Sequence, residues 1–370
     1  MTSTINESLF RQSELDDYPL KRDDKHTNKI IQPEFSPLNS EMEVLPEGFV
    51  FSELSLENDE DFQKVSDFLN ANYTSSLEEI ESTEDAKYFT YSPEYVKWVL
   101  AIPGPIRSIV LCVMGKTKVN GIICARPICY RVDNRVIRSY EVGWLCSSVN
   151  LRKKRLAAVM MKELYRRIQA AEYARDVGLI FSVTDRQLPC LHIVGPTHFL
   201  YKSIDDMAKP NKSINLIRFA NRRDISRMMK LYKSYQNKWR MYREYNQLEF
   251  EHCFLKRGDV STYVVRTDKG DVKDFISMST LNTPNKGPIA HVHFVSFLND
   301  KLLELFVQNI LYILSKNGYS GIYIEDINGV GEVLKAKLDF KETHTHWYYQ
   351  YNYNTKQIPA NETQISSLMF

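Results

Sequence analysis

The six cysteines, at 112, 124, 129, 146, 190 and 253, include no C-x-x-C pair. That argues against a zinc ribbon or a thioredoxin-type redox motif and leaves scattered reduced thiols as the expectation. No apolar run approaches the length of a membrane span, and the N-terminus lacks the apolar stretch of a signal peptide. A cytoplasmic protein without a transmembrane segment is therefore expected. The formal net charge is only +2 over 370 residues, too small a basic excess for a dedicated nucleic-acid binder. His291/His293 and His344/His346 alternate as on a strand. No cysteine or carboxylate partner shows ligand spacing, so no metal site is expected.

What remains is enough chain for one large or two medium α/β domains. Residues 1–44 are polar, with prolines at 19, 33 and 37, and read as a flexible arm. A strand near Leu45–Phe51 is followed by a helix capped at Asn58 or Asp59, with Phe62, Val65 and Leu69 inward. After an acidic loop holding Glu78, Glu79, Glu81, Glu84 and Asp85, a second helix starts at Ser92 with Pro93 in its first position. Three strands form a meander, about 107–113, 121–132 and 135–148. A basic turn, a long helix and a strand at about 178–183 complete the unit.

The pattern then restarts. A strand at Asn215–Phe219 precedes a helix capped by Asp224, with Ile225, Met228, Tyr232 and Tyr235 on one face. Another helix ends near Phe254. Strands follow at 261–266, 272–279 and 290–297, then a helix at 300–316 and a strand at 320–325. The order of elements repeats without sequence identity, so two copies of one unit are expected.

The two copies differ at one place. In the first, Arg138 to Ser148 reads as a strand and runs into four consecutive cations, Arg152 to Arg155. A helix follows with Leu156, Met160, Leu164, Ile168 and Ala171 on one face. Unpaired first-turn N–H groups, a positive dipole end and full cationic charges make an anion site. A solvated basic turn is the plain alternative, because the Gly-x-x-Gly-x-Gly/Ala turn of ordinary acetyl-CoA acetyltransferases is missing. The corresponding turn in the second copy, Leu298-Asn-Asp-Lys301, has no cation cluster.

Five stretches resemble the glycylpeptide N-tetradecanoyltransferase (N-myristoyltransferase) family, in its order and at roughly its spacing. They are Tyr91-Ser-Pro-Glu-Tyr95 with Trp98 and Pro103-Gly104; Glu141 to Cys146; Leu151 to Ala157; Glu249 to Phe254; and Asp274-Phe-Ile-Ser277. The resemblance implies a tandem GNAT-like acyl-CoA N-acyltransferase fold, two pseudo-symmetric halves around a saddle-shaped mixed sheet. It divides the chain into an acyl-CoA half at 45–205, a peptide half at 206–355 and a tail at 356–370 that folds back to the active site. It implies myristate transfer from myristoyl-CoA to the N-terminal glycine of peptides or nascent proteins, by a monomer with no prosthetic group.

By resemblance, the backbone amides of Trp144 and Leu145 form the oxyanion hole and the terminal carboxylate of Phe370 is the base. Trp144, Leu145, Cys146 and Ser147 line the pantetheine and thioester. Arg152, Lys153, Lys154, Arg155, Leu156 and Ala157 seat the CoA phosphates. Tyr73, Tyr91 and His198 match peptide-groove positions, and Glu84 and Asp85 suit substrates with basic residues after glycine.

The sequence also departs from the family. The aromatic N-terminal segment Phe-Trp-x-Thr-Gln-Pro-Val is absent, with Tyr18 to Asp23 in that region. Gly143 replaces an Asn, Val183-Thr184-Asp185 stands for Thr-Ala-Gly, and Lys341-Glu-Thr stands where a Gly-rich turn is usual. These differences keep open a weakened homologue that binds acyl-CoA or acylated peptides, and an N-acyltransferase of other chain length or amine. Cys146 as a covalent nucleophile is disfavoured because no histidine is near it in sequence.

Overall fold

A computed structural model of the chain describes residues 29–30, 44–73, 89–152, 154–170, 177–185, 187–188, 192–204, 207, 209–210, 217–283, 286–297, 300–327, 329–351 and 353–369. The first half contributes β1 (Phe49–Leu54), α1 (Asp59–Asn72), α2 (Pro93–Leu100), β2 (Ile109–Gly115), β3 (Lys118–Val132) and β4 (Arg135–Ser147). It continues with α3 (Leu156–Ala170), β5 (Gly178–Thr184) and β6 (His192–Ser203). The second half contributes β7 (Ile217–Phe219), α4 (Ile225–Gln236), β8 (Met241–Glu244), α5 (Gln247–Phe254), β9 (Val260–Arg266) and β10 (Val272–Thr283). After it come β11 (Lys286–Val295), α6 (Asp300–Lys316), β12 (Gly321–Glu325), α7 (Val330–Leu338), β13 (Lys341–Tyr351) and β14 (Thr363–Gln364).

One mixed sheet of 14 strands runs in the order β14-β8-β3-β4-β5-β13-β6-β12-β11-β10-β9-β7, with β2 and β1 branching from β3. In each half a meander is antiparallel and its last strand pairs parallel with the strand after the next helix, β4 with β5 and β11 with β12. The halves exchange their closing strands: β6 pairs with β12, and β13 lies between β5 and β6.

Local sequence accounts for the helices. The Ser92 hydroxyl accepts from Tyr95 N (2.9 Å) with Pro93 in the first turn, so α2 starts where the sequence places it. α1 follows Asn58 with Asp59, Glu60 and Asp61 against its positive end and buries Phe62, Val65 and Leu69. Alternation along β2 splits its side chains between two layers. Ile109, Leu111 and Val113 pack with Leu156, Met160, Leu164 and Ile168 of α3, whereas Val110 and Cys112 pack with α1, α2 and the C-terminal residues. The strands carrying the site are thus covered on both faces.

Some expectations change. Within the segment read as a flexible arm, Lys29–Ile30 pairs antiparallel with Tyr353–Asn354. Asp224 does not cap α4 through its side chain; its carboxylate accepts from Asn221 N in a short 3-10 turn and pairs with Arg266. Lys341 to Thr343 open β13, and the reversal before them is made by Asp339 in the left-handed region (φ 55°). Ala171 and Cys190 lie outside the described residues. Among the described residues no helix is long and apolar enough to cross a membrane.

Candidate active site

β4 stops being a regular strand at the residues singled out by the sequence. It pairs Cys124 with Gly143 and Ile122 with Cys146, so Trp144 and Leu145 together face the single residue Ile123. This is a β-bulge. Among the described residues the parallel ladder to β5 runs from Ser139 to Val142 and stops before the bulge. Trp144 sits at φ +48°, a left-handed conformation that costs a non-glycine residue about 1–3 kcal/mol. Packing holds it there: the indole is fully buried, 5.3 Å from the Tyr91 ring and 6.3 Å from that of Tyr95. Two successive amides outside the regular ladder are a geometry suited to receiving an oxyanion.

Beyond the bulge, Ser148 N donates to Asn120 O (2.8 Å) and a 3-10 turn spans Val149–Leu151. Arg152 directs Nη2 to the Asn72 carbonyl (2.5 Å) at the C-terminal end of α1, a favourable place for a cation. Lys154 and Arg155 are exposed, Arg155 at φ +60°, and α3 begins at the buried Leu156 with Ala157 half-buried. Exposed cations thus stand before a 15-residue helix whose first-turn amides lack intrahelical partners. Lys153 lies outside the described residues.

Burial pushes the Cys146 thiol up to about 12, with Arg152 offsetting part of the shift. Burial thus works against the thiolate that a nucleophilic role would need. Ser147 is half-buried at the strand end.

The last residues run back into this site. Ser367, Leu368 and Met369 are each no more than 3% exposed. The Ser367 hydroxyl donates to Glu141 Oε1 (2.9 Å), Ser367 N donates to the Tyr348 hydroxyl (3.1 Å), and the Tyr95 hydroxyl donates to Leu368 O (2.9 Å). Glu141 is itself held by the buried Arg126, whose Nε donates to Oε2 (2.6 Å). Burial alone would raise the Glu141 carboxyl, but Arg126, Arg243 and the hydrogen bonds bring it below the usual carboxylate range. Two small pockets flank the tail, and Arg243 and Ser366 line both. Phe370 lies outside the described residues.

Tyr73 and Tyr91 join the bulge cluster, their rings 6.3 Å apart. Tyr91 is fixed by its backbone: Ser66 and Asn70 of α1 donate to its carbonyl (2.6 and 3.0 Å), and its N–H donates to Asn70 Oδ1 (2.8 Å). His198 is placed differently, on β6 opposite Thr345 of β13, with its carbonyl accepting from Asp326 N (2.7 Å). Glu84 and Asp85 lie outside the described residues. Arg126, Ser367, Tyr348 and Arg243 were not singled out by sequence. A usable signal was Arg126 alone in the otherwise uncharged run 121–130, since a charge in such a run is rare unless paired.

Two family models match, Myristoyl-CoA:protein N-myristoyltransferase, N-terminal domain, over residues 30–179 and the C-terminal domain over residues 202–368. The chain is 27% identical to glycylpeptide N-tetradecanoyltransferase 2 of Danio rerio, over 69% of this chain and 55% of that protein. It is 28% identical to glycylpeptide N-tetradecanoyltransferase 1 of Arabidopsis thaliana, over 66% of this chain and 60% of that protein. The matches therefore span little more than half the length of these relatives. Saccharomyces cerevisiae N-myristoyltransferase, solved with bound myristoyl-CoA, superposes with a TM-score of 0.78 at 20% identity, over 95% of this chain and 94% of that one. The architecture is the mixed α/β, GNAT-like fold of those structures. With its two halves matched in order, the chain belongs to the Myristoyl-CoA:protein N-myristoyltransferase family.

Proposed function

We propose that this protein transfers myristate from myristoyl-CoA to the N-terminal glycine amine of peptides and nascent proteins. The observation that carries this reading is the bulge at Trp144 and Leu145 directly beside the buried C-terminal tail. The thioester carbonyl lies at the bulge, where the amides of Trp144 and Leu145 stabilise the developing oxyanion. Losing one such donor costs roughly 3–4 kcal/mol of barrier lowering in comparable sites.

The nucleophile arrives as an ammonium and must lose a proton before attack. The Phe370 carboxylate takes it; a free α-carboxylate titrates near about 3.5, and apolar surroundings raise it toward useful basicity. The neutral amine then attacks the carbonyl carbon, the C–S bond breaks, and CoA leaves as a thiolate that takes up a proton. Lys154, Arg155 and the first turn of α3 hold the phosphates, with Lys153 and Arg152 beside them. The acyl chain contributes about 0.8 kcal/mol per buried CH₂. Tyr73, Tyr91 and His198 contact the peptide, and Glu84 and Asp85 favour basic residues after glycine. Acyl-CoA binding falls to residues 45–205, and residues 206–355 complete the peptide site with those positions, in a cytoplasmic monomer.

The test incubates full-length protein with labelled myristoyl-CoA and an octapeptide beginning with glycine, beside one beginning with alanine. Label transfer to the glycine peptide alone is expected. Acyl-CoA binding with no transfer to either peptide overturns the proposal in favour of a binding protein.

A further inference from the structure

The most unusual contact at the tail involves Gly143. A β-carbon there would stand 2.5 Å from the Met369 carbonyl oxygen and closer still to Met369 Cβ. Gly143 is not among the positive-φ residues of the chain, so its backbone does not require glycine; the space taken by Met369 does. Glu141, two residues earlier, shares the same face of β4, and that face is the one Ser367 reaches.

We propose that Gly143, Glu141 and Tyr95 form a seat matched to this chain's own C-terminal tail, acting as positioning residues that fix the last residues against the bulge. Gly143 supplies clearance for the backbone of Met369. Glu141 accepts from the Ser367 hydroxyl (2.9 Å), and that hydroxyl accepts in turn from Met369 N (3.3 Å). Tyr95 holds the Leu368 carbonyl (2.9 Å). Arg126 sits behind Glu141, so the carboxylate is fixed from the far side and only Oε1 faces the tail. A carboxylate left with a free rotamer would not specify one tail position. The buried pair does, because breaking it would leave an uncompensated buried charge. On this view a glycine at 143 is not a lost functional group. A larger residue there belongs with a tail that sits farther from the strand.

The consequence for turnover rests on the proposed acyl transfer, but the seat itself does not, and the experiment separates them. Full-length wild type, Gly143→Asn, Gly143→Ala and Ser367→Ala are digested with carboxypeptidase, and release of the terminal residues is followed by mass spectrometry. Steady-state transfer, myristoyl-CoA affinity and thermal stability are measured on the same samples. We expect Gly143→Asn and Ser367→Ala to release tail residues at least about tenfold faster, since the tail now opens locally. Misplaced by about an ångström, the tail should lower kcat by about 10²-fold, with myristoyl-CoA affinity changed less than about twofold. Gly143→Ala should fall between.

Should Gly143→Asn fail to fold, Ser367→Ala decides, because it removes one hydroxyl and leaves Arg126 paired with Glu141. Wild-type digestion rates in Ser367→Ala, or in a folded Gly143→Asn, overturn the seat. A wild type without transfer activity would sink the acyl-transfer reading, while the digestion rates would still decide this one.

Discussion

β4 and β11 hold matching places in the two halves. Each closes a meander, each pairs parallel with the strand after the next helix, and each is bulged near its end. In β11 the partners step from Ser277–Phe294 to Met278–Val292, leaving His293 as the extra residue. The surroundings differ. His293 lies between the rings of Trp98 (5.4 Å) and Phe254 (6.0 Å) and keeps a negative φ. Trp144 turns left-handed, and the tail arrives beside it. Before the bulge the first half pairs buried Arg126 with Glu141, whereas the second sets Ser279 opposite His291. On the proposed function, the shared backbone device serves as a site where exposed cations and a docked tail adjoin it; the fold alone does not confer chemistry.

The largest expected effect comes from removing the feature that only the first bulge has beside it. Appending one alanine after Phe370 displaces the terminal carboxylate without touching either bulge. Single-turnover measurements should show transfer slowed by about 10²–10⁴-fold, the usual contribution of a positioned base, with myristoyl-CoA affinity intact. Unchanged turnover would remove the terminal carboxylate from the mechanism and leave the two bulges less different than proposed.

A smaller effect is expected at the turns after the bulges. Lys154→Glu with Arg155→Glu removes charge-assisted contacts worth roughly 1.5–3 kcal/mol, so the dissociation constant of myristoyl-CoA should rise by about 10–100-fold by calorimetric titration. Lys301→Glu, in the first turn of α6 of the second half, should change it less than about twofold. Equal effects at both turns would mean that the halves share the nucleotide, and the contrast drawn above would fail.

Local pattern carried much of the first half and parts of the second. Leu156, Met160, Leu164 and Ile168, read from helical spacing, are all buried on α3, and α6 spans the 300–316 assigned to it. The missed elements were β6, β8, β13, β14 and α7. β6 has Gly195-Pro196 in its middle, and β13 begins with six polar residues, so neither shows an apolar strand signature. α7 is nine residues between left-handed caps at Gly329 and Asp339. Strand exchange between halves joins residues far apart in sequence, as do the tail contacts of Ser367 with Glu141 and of Leu368 with Tyr95, 226 and 273 positions apart. No periodicity within a window of a dozen residues encodes such pairings. The position of the bulge came from family resemblance, whereas the basic turn was legible as four consecutive cations, Arg152 to Arg155, before an amphipathic helix.

The two halves should also separate by pH, because the second carries buried neutral histidines where the first carries a compensated ion pair. His252 is the clearest case. Its Nε2 donates to Trp98 O (2.7 Å) and its Nδ1 accepts from Arg257 (3.1 Å), so α5 of one half is tied to α2 of the other by a neutral ring. Burial and, less, the Arg257 charge push its pKa down to about 4, while the Trp98 carbonyl opposes them; burial and His346 push His291 down to about 3, and His293 is also lowered. The unfolded chain therefore binds protons that the folded chain refuses. The stabilisation is complete above about pH 6.5 and is lost as pH falls toward 4 and below, at up to about 1.4 kcal/mol per pH unit for each histidine. Asp274, raised to about 6 by burial, and Asp259, also raised by burial, act in the opposite sense as pH rises above 3.8, two groups against three. Urea unfolding between pH 7 and 4.5 should show falling stability. In His252→Gln the decline should be shallower by at most one proton, from a lower starting point at pH 7 because a buried hydrogen bond is weakened. Protonation would place an N–H at Nδ1 against the Arg257 guanidinium, so an unaltered slope in this variant would mean that His252 opens to solvent before it titrates.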